Sequence, residues 1–310
     1  MKIVTFSSLP ATARAQLLAQ VPATSQVVLA AGLPAAAQAA ALREAAVLFG
    51  NPAPELLAQE LPHLRLWQLD SAGFDKYQGL AVAAPVCNMG DYFAWPCAET
   101  MVAGLLALYR AVPELARLQA AQQWVGAPIR GRMGLLRGKR VVILGAGTIG
   151  QAVRQQLSGF GCVVQLLART DPQAQLHSRQ ELAAALPQTD IVVNCLPGSA
   201  EGFFSADLIA AMAPGSFYAS VGRGNTTDEP ALIAALQAGH LGGAVLDVTA
   251  TEPLPAGHPL WALPNVLLTQ HTGGGQPAEA EGKVAQLLRN LGHLQAGEPL
   301  ENVVQLAQGY

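Results

Sequence analysis

Three side chains that can bind an anion or exchange a proton follow successive apolar segments in the second half of the chain. They are Arg223, Glu252 and His271. A guanidinium binds a carboxylate through two parallel hydrogen bonds, and an imidazole exchanges a proton near neutral pH. Taken singly, they are better explained as a loop arginine, a surface acid and a turn histidine. Because each follows a predicted parallel strand, we expect them at one sheet edge, arranged for acid–base chemistry on a bound anion.

A glycine-rich turn earlier in the chain predicts a dinucleotide site. The apolar run Val141–Leu144 predicts a buried strand, and Gln151–Leu157 predicts a helix. Between them, Gly145, Gly147 and Gly150 complete the pattern G-x-G-x-x-G. In this pattern the first glycine permits a tight turn, the second lets the backbone approach a pyrophosphate, and the third lets the helix pack closely. The alternative is a glycine-rich turn in an ordinary α/β domain.

The elements that must position these residues alternate between strand and helix. Six strands are predicted, at Val141–Leu144, Val163–Leu167, Ile191–Cys195, Ser216–Val221, Ala244–Val248 and Val266–Thr269. Helices are predicted between most of them, at Gly150–Ser158, Gln180–Ala185, Ala206–Ala211 and Pro230–Ala238. Six strands with crossover helices predict a complete Rossmann domain, expected over residues 97–275.

The first part of the chain shows the same alternation without a glycine fingerprint. Strands are predicted at Lys2–Phe6, Val27–Ala30, Ala46–Phe49 and Leu64–Gln68, and helices at Ala11–Gln20, Ala35–Ala46 and Pro54–Glu60. The predicted fold class is therefore α/β, with two doubly wound parallel-sheet domains. A flavodoxin-like domain is expected over residues 1–96, completed by residues 276–310, where a last helix runs from Ala278 to Leu294.

Two segments between these domains carry weaker signals. Ala98–Arg110 has helical apolar spacing and is predicted to cross between the domains, with Pro96 as a helix-entry signal. Pro113–Arg137 shows no clean period and is interpreted as an irregular excursion that could pack on a partner subunit.

One loop of the N-terminal domain is a candidate anion site. Asp70–Asp75 follows the strand Leu64–Gln68 and contains Ala72 and Gly73. Ligands bind at the carboxyl ends of parallel strands, and free backbone N–H groups there hold small anions. The alternative is a plain strand-to-helix loop.

The end of the second Rossmann strand indicates which dinucleotide is bound. Where an acidic residue would bond the ribose hydroxyls of NAD, this chain has Arg169 followed by Thr170. A guanidinium and a hydroxyl are suited to a 2′-phosphate, which favours NADPH, with NADH as the second option. Asp171 just beyond weakens this argument, and the alternative is a solvated surface arginine.

Composition excludes several classes of protein. The 310 residues are 51% hydrophobic and 13% charged, which indicates a well-cored globular chain of about two domains. A net charge of −3 without a basic cluster argues against nucleic-acid binding, and the alanine-rich N-terminal stretch is interrupted by polar residues, which argues against a membrane span. The four cysteines show no metal-binding spacing and are interpreted as reduced, near-core residues of a cytoplasmic protein; they are Cys87, Cys97, Cys162 and Cys195.

Several motifs taken together resemble the D-isomer-specific 2-hydroxyacid dehydrogenase family. The residues that carry this resemblance are Leu136-Arg137-Gly138-Lys139, Val221-Gly222-Arg223-Gly224, Leu246-Asp247-Val248, Glu252-Pro253-Leu254 and His271. Within the family, Ala168-Arg169-Thr170 and the terminal Gln308-Gly309-Tyr310 most resemble the NADPH-preferring glyoxylate/hydroxypyruvate reductases.

The resemblance implies a reaction and roles for the charged residues. Hydride from the nicotinamide would reduce the carbonyl carbon of a 2-oxo acid while His271 protonates the carbonyl oxygen. Glu252 would favour the protonated form of His271, and Arg223 would bind the substrate carboxylate. Backbone N–H groups of Ala72 and Gly73 would hold the same carboxylate, which identifies the N-terminal domain as the substrate domain. A homodimer is also implied.

The resemblance further implies which residues contact the cofactor. Thr148 and Ile149 would bind the pyrophosphate, Leu196 and Pro197 would line the ribose, and Asp247 would lie near the nicotinamide carboxamide. The remaining cofactor positions are taken from the matching motifs and comprise Gly145, Gly147, Gly150, Arg169, Thr170, Val221, Gly222 and Gly274. No metal ligand is expected.

Departures from the family pattern leave the substrate open. Phe74 replaces a small aliphatic residue, which predicts a narrower or more aromatic pocket, and Thr249-Ala250-Thr251 is unusually polar. The alternatives are a dinucleotide-dependent sensor on the same fold and a dehydrogenase for a bulkier or phosphorylated acid. The absence of an added recognition module favours an enzyme, and the scatter of Arg43, Arg65 and Lys76 argues against a phosphorylated substrate.

Overall fold

The computed structural model describes residues 1–308. Within them the chain folds into two compact units. Unit 1 comprises Met1–Tyr92 with the described part of Gln276–Tyr310, and unit 2 comprises Phe93–Gly275. Gly309 and Tyr310, part of the terminal motif that resembles the reductases, lie outside the described residues.

Strands and helices alternate along the chain. The strands are β1 Lys2–Thr5, β2 Gln26–Leu29, β3 Val47–Phe49, β4 Leu66–Gln68, β5 Val86–Cys87, β6 Arg140–Leu144, β7 Val163–Leu167, β8 Ile191–Asn194, β9 Phe217–Ser220, β10 Gly243–Leu246, β11 Val266–Leu268 and β12 Val303–Val304. The α-helices are α1 Ala11–Gln20, α2 Ala35–Arg43, α3 Ala94–Tyr109, α4 Val112–Ala120, α5 Ala127–Arg130, α6 Thr148–Ser158, α7 Arg179–Ala185, α8 Ala206–Ala211, α9 Glu229–Gln237 and α10 Glu279–Ala296. Short 3-10 helices lie at Pro54–Leu57, Asp75–Tyr77, Leu186–Gln188, Gly198–Ala200, Gly224–Thr226, Pro259–Ala262 and Leu306–Gln308.

Unit 1 is a sheet of order β12-β5-β4-β3-β1-β2. The pairs from β5 to β2 are parallel, and β12 joins β5 in the antiparallel direction. Successive residues of each strand enter opposite cores: Ile3 packs with Leu17 of α1 and Leu287 of α10, whereas Val4 packs with Leu42 of α2. The two faces are therefore both covered by helices, as a doubly wound sheet requires.

Unit 2 is an all-parallel sheet of order β11-β10-β9-β8-β6-β7. The chain order reverses between β6 and β8, and ligands of such sheets bind at this kind of switch point. An isolated parallel bridge between Leu167 and Leu176 extends the pairing beyond β7. The fold class predicted from sequence, two doubly wound α/β domains, is confirmed.

The central strands of unit 2, β6, β8, β9 and β10, are largely buried on both faces, which explains their continuous apolar sequences. Val141 and Ile143 pack in one core with Met101 and Leu105 of α3, together with residues of α6. Val142 belongs to the opposite core, beneath α7, α8 and α9. Each fully buried aliphatic side chain of this kind contributes about 1.5–3 kcal/mol through loss of water-exposed surface.

The structure corrects three details of the sequence interpretation. The units divide after Tyr92, not after residue 96, because α3 already begins at Ala94 and belongs wholly to unit 2. The excursion 113–137 is not entirely irregular: it contains α4 and α5, and Pro113 occupies the first turn of α4, where proline is compatible with a helix. The helix expected at Pro54–Glu60 is only one 3-10 turn, Pro54–Leu57.

The buried cysteines provide a test of this packing. All four cysteines are free thiols; Cys87 is fully buried and Cys97 nearly so. Burial raises the pKa of both thiols to about 12, with a further contribution from nearby carboxylates. Since the thiolate is the reactive form, we expect iodoacetamide at pH 8 to alkylate both more than about 100-fold slower in the native protein than in urea. Equal rates, measured by peptide mass spectrometry, would contradict this packing.

Candidate active site

The carboxyl ends of the unit 2 strands form one edge, because all strands of this sheet are parallel. The cofactor and catalytic positions that the sequence predicts in this unit follow β6 to β11, and the structure therefore brings them to that edge. Listed by the strand that they follow, these positions are Gly145–Gly150 after β6, Arg169 and Thr170 after β7, Leu196 and Pro197 after β8, Val221–Arg223 after β9, Asp247 and Glu252 after β10, and His271 and Gly274 after β11.

The glycine turn after β6 has the geometry of an anion cradle. Gly145 has φ +100°, a conformation that favours glycine, and α6 begins at Thr148. At Gly150, a Cβ atom would lie 2.2 Å from the carbonyl oxygen of Gly145, so only glycine allows α6 to approach the turn this closely. The first N–H groups of α6, including that of Ile149, lack carbonyl partners within the helix and carry its positive dipole end. These features fit the pyrophosphate of a dinucleotide.

Arg169 and Thr170 follow β7 and are both exposed at the same edge. The neighbouring Asp171 accepts the N–H of Gln173 at 2.8 Å and so closes a local turn. Its carboxylate therefore helps to hold this turn.

Asn194, at the end of β8, is a site residue that the sequence interpretation missed. Its fully buried amide group donates to the hydroxyl groups of Tyr218 and Thr226 at 2.8 and 2.9 Å, and its Oδ1 accepts the N–H of Leu196 at 3.0 Å. Thr226 in turn donates to the carbonyl of Arg223 at 2.6 Å. Asn194 thereby fixes the loops after β8 and β9, and the available signal was a polar residue closing the apolar run Ile191-Val192-Val193.

Glu252 and His271 form a direct pair. The distance between His271 Nδ1 and Glu252 Oε2 is 2.6 Å, and both side chains are partly exposed. The second carboxylate oxygen of Glu252 accepts the N–H of Thr249 at 3.0 Å. A carboxylate at Nδ1 orients the ring and leaves Nε2 as the nitrogen that can exchange a proton with a ligand.

The turn that carries His271 is held by Asp247. His271 and Gln270 have φ values of +56° and +54°, in the left-handed region that non-glycine residues seldom adopt. Asp247 is buried, and its Oδ1 accepts the hydroxyl of Thr269 at 2.6 Å and the N–H groups of Thr272 and Gly273 at 3.0 Å. These bonds stabilise the strained turn and hold His271 in place.

The loop 70–75 of unit 1 follows β4 and is anchored on both sides. Asn88 donates to the carbonyl of Ala72 at 2.7 Å, and Asn51 donates to Ser71, which donates to the carbonyl of Gly73 at 2.7 Å. The carbonyl groups of Ala72 and Gly73 are thus engaged within the unit, an arrangement that suits N–H groups presented to an anion.

Phe74 does not have the position expected from the sequence. Its side chain is 1% exposed and packs in the unit 1 core with Trp67 and Tyr77. The expectation that Phe74 makes the pocket narrower or more aromatic is therefore wrong, because the ring is directed into the core.

Two kinds of feature are absent from residues 1–308. No three His, Cys, Asp or Glu side chains of this range cluster in the way that metal ligands do. Nor does any helix in it combine the length and apolar character needed to cross a bilayer.

Comparison with known proteins identifies the family. Residues 102–273 match the model of the D-isomer specific 2-hydroxyacid dehydrogenase NAD binding domain. The chain belongs to the D-isomer specific 2-hydroxyacid dehydrogenase family. A curated relative, glyoxylate/hydroxypyruvate reductase A of Salmonella heidelberg (strain SL476), is 36% identical over 177 residues, which are 55% of this chain and 56% of the relative. The chain thus spans about half the length of the curated relatives it matches.

Solved structures of family members resemble the whole chain. A D-isomer specific 2-hydroxyacid dehydrogenase from Xanthobacter autotrophicus Py2, solved with NADPH and MES, is 28% identical, with a TM-score of 0.81 and coverage of 100% of this chain and 99% of that one. A family protein from Klebsiella pneumoniae 342 is 29% identical, with a TM-score of 0.79 and coverage of 99% and 97%.

Proposed function

We propose that this chain is an NAD(P)-dependent oxidoreductase that reduces a small 2-oxo acid of the glyoxylate/hydroxypyruvate type to the D-2-hydroxy acid. The observation that carries the proposal is the 2.6 Å pair between His271 and Glu252, at the sheet edge where the glycine turn offers a dinucleotide site. The reductase name of the Salmonella relative supports the substrate class.

His271 is proposed as the general acid. In its protonated form, Nε2–H donates to the carbonyl oxygen of the substrate, and Nδ1–H stays bonded to Glu252. Glu252 stabilises the positive charge and keeps the ring in one orientation, since its other oxygen is fixed by the N–H of Thr249.

Arg223 is proposed to bind the substrate carboxylate and to polarise the adjacent carbonyl group. The N–H groups of Ala72 and Gly73 in unit 1 are proposed to bind a substrate carboxylate, which makes unit 1 the substrate domain and unit 2 the dinucleotide domain. The bound dinucleotide supplies the hydride that is transferred to the carbonyl carbon.

The proposed cofactor contacts follow the positions at the unit 2 edge. The N–H groups at the start of α6, from Thr148 and Ile149, would hold the pyrophosphate, and Leu196 and Pro197 would contact the ribose. Val221, Gly222, Asp247 and Gly274 are proposed near the nicotinamide end. The Xanthobacter family member solved with NADPH supports NADPH, with NADH as the second cofactor.

Initial rates with glyoxylate, hydroxypyruvate and phenylpyruvate, each with NADPH and with NADH, test the proposal. Oxidation of either cofactor by a 2-oxo acid supports it, provided that hydroxypyruvate or phenylpyruvate yields the D-hydroxy acid; the glycolate formed from glyoxylate is achiral. Tight dinucleotide binding without turnover of any acid contradicts it and favours the sensor alternative. Preference for phenylpyruvate indicates a bulkier substrate than proposed.

Replacing Arg169 tests the cofactor choice. We expect Arg169→Ala to raise KM for NADPH about tenfold or more, because one charge-assisted contact to the 2′-phosphate is lost, while KM for NADH stays within about twofold. Arg179→Ala, in the same unit but paired with Asp207 at 2.7 Å, is the matched control. Equal changes for both cofactors would refute the role of Arg169.

A homodimer, a cytoplasmic location and the absence of nucleic-acid partners stay predictions. Gel filtration with light scattering tests the first of these directly.

A further inference from the structure

A buried carboxylate behind the site has no role in the proposed chemistry. Glu229 is the first residue of α9, and its side chain is 11% exposed. Its neighbour Asp228 caps the helix by accepting the N–H of Ala231 at 3.0 Å, so Glu229 is not needed as the cap.

Glu229 holds both ends of one surface segment, Thr249–His258. Its Oε2 accepts the N–H of Ala250 at 2.9 Å, and its Oε1 lies 3.5 Å from Nε2 of His258. Because Nδ1 of His258 accepts the N–H of Leu260 at 3.4 Å, the proton of the neutral ring resides on Nε2, facing Glu229. The contact is therefore attractive in either protonation state of His258.

The segment between these two anchors carries Glu252. The N–H of Thr249, next to the Ala250 anchor, donates to Oε1 of Glu252, while Oε2 of Glu252 contacts Nδ1 of His271. Movement of Thr249 and Ala250 would consequently displace the carboxylate that orients His271.

The same segment also rests on the loop of Arg223. A Cβ atom on Gly224 would lie 1.9 Å from the carbonyl oxygen of Thr249, so the two backbones are in direct contact. The position of Thr249 thus sets the spacing between the Glu252 segment and the Arg223 loop.

We propose that Glu229 is a positioning residue that fixes Glu252, and through it His271, by anchoring Thr249–His258. This inference rests on the proposed function for its kinetic consequences. Its structural content, a segment ordered by one carboxylate, is independent of any reaction.

The kinetic test is a double-mutant cycle with Glu252. Glu229→Ala removes both anchors and is expected to lower kcat about tenfold to 100-fold, with KM for NADPH unchanged, because a small displacement of a catalytic group has effects of this size. Glu229→Gln retains an oxygen for Ala250 and is expected to lose less. In a Glu252→Gln background, Glu229→Ala should reduce kcat less than about twofold further, since both changes act through one path.

Glu298→Gln is the matched control, since Glu298 pairs with His293 at 3.1 Å in unit 1. It is expected to leave kcat unchanged. If the decreases in kcat caused by Glu229→Ala and Glu252→Gln are fully additive in free energy, the proposal is overturned. It is also overturned if Glu229→Ala weakens NADPH binding as much as it lowers kcat.

Hydrogen exchange provides a readout that needs no turnover. Peptides covering 249–258 should exchange faster in Glu229→Ala and, to a smaller extent, in Glu229→Gln, which serves if the alanine variant fails to fold. Unchanged exchange in this segment overturns the proposal even if the enzyme is active. If the wild type turns over no 2-oxo acid, the proposed function fails while the exchange result still decides the role of Glu229.

Discussion

Replacing His271 with alanine is expected to lower kcat for 2-oxo acid reduction about 10²–10⁴-fold, the contribution of a positioned general acid. The physical reason is that Nδ1 is engaged by Glu252 at 2.6 Å, so Nε2 is the nitrogen that donates to the carbonyl oxygen. Stopped-flow measurement of NADPH oxidation gives kcat directly. NADPH affinity, measured by fluorescence titration, should change less than about threefold, because the glycine turn follows β6 and His271 follows β11.

Two controls separate chemistry from folding in this variant. His63→Ala removes an exposed imidazole from unit 1 and should leave kcat unchanged. His271→Gln keeps a polar side chain in the same strained turn and should be as inactive as alanine. A His271→Ala protein with more than about a third of the wild-type kcat would exclude His271 as the acid.

Gly150→Ala is expected to lower both the thermal stability of the protein and its affinity for the dinucleotide. Its Cβ would lie 2.2 Å from the carbonyl oxygen of Gly145, and neither backbone can move without shifting α6 away from the turn. Overpacking of this kind costs about 1–3 kcal/mol, which corresponds to a Tm lower by about 2–12 °C for a unit of this size. Dinucleotide binding should weaken in parallel, because the N-terminus of α6 moves away from the glycine turn that contains Gly145.

Gly292→Ala is the matched control for this substitution. Gly292 also lies inside a helix, α10, and a Cβ atom there would meet nothing within 4 Å. Since alanine favours helix over glycine, this variant should keep or raise the Tm. Calorimetry of both variants, with isothermal titration of NADPH, measures the difference; equal Tm values would contradict the close approach of α6 to the turn.

The sequence was most informative where function depends on local spacing. The strand, turn and helix around Gly145–Gly150 are contiguous, so their residue types alone predict the strand β6, the turn and α6. The same holds for Arg223, Glu252 and His271, because the carboxyl ends of parallel strands necessarily share an edge. The distances between these three side chains, in contrast, depend on loops of irregular conformation.

The partners of the supporting residues were not predictable from local patterns. Asn194, Asp247 and Glu229 act on partners in other loops, at Thr226, Thr272 and Ala250. A buried polar residue requires a hydrogen-bond partner. The sequence around that residue does not specify which distant N–H or hydroxyl group the partner is.

Phe74 and the segment 113–137 are places where the sequence interpretation is wrong. The sequence interpretation places Phe74 at the pocket, yet burial of its ring in the core of unit 1 releases more free energy than exposure at a binding surface. The segment 113–137 is interpreted from its sequence as irregular because it lacks a clean period, yet it contains α4, in whose first turn the missing N–H of Pro113 costs nothing.

The nested order of the two units has a consequence for synthesis of the protein. Unit 2 is continuous, from Phe93 to Gly275, whereas unit 1 needs α10, whose Val284, Leu287 and Leu291 fill one of its cores beside Leu17. A ribosome therefore releases every residue of the second unit before it releases the helix that completes the first. Until then, the face of the N-terminal sheet around Leu17 exposes apolar surface, and exposed apolar surface of this kind makes a nascent chain prone to aggregation.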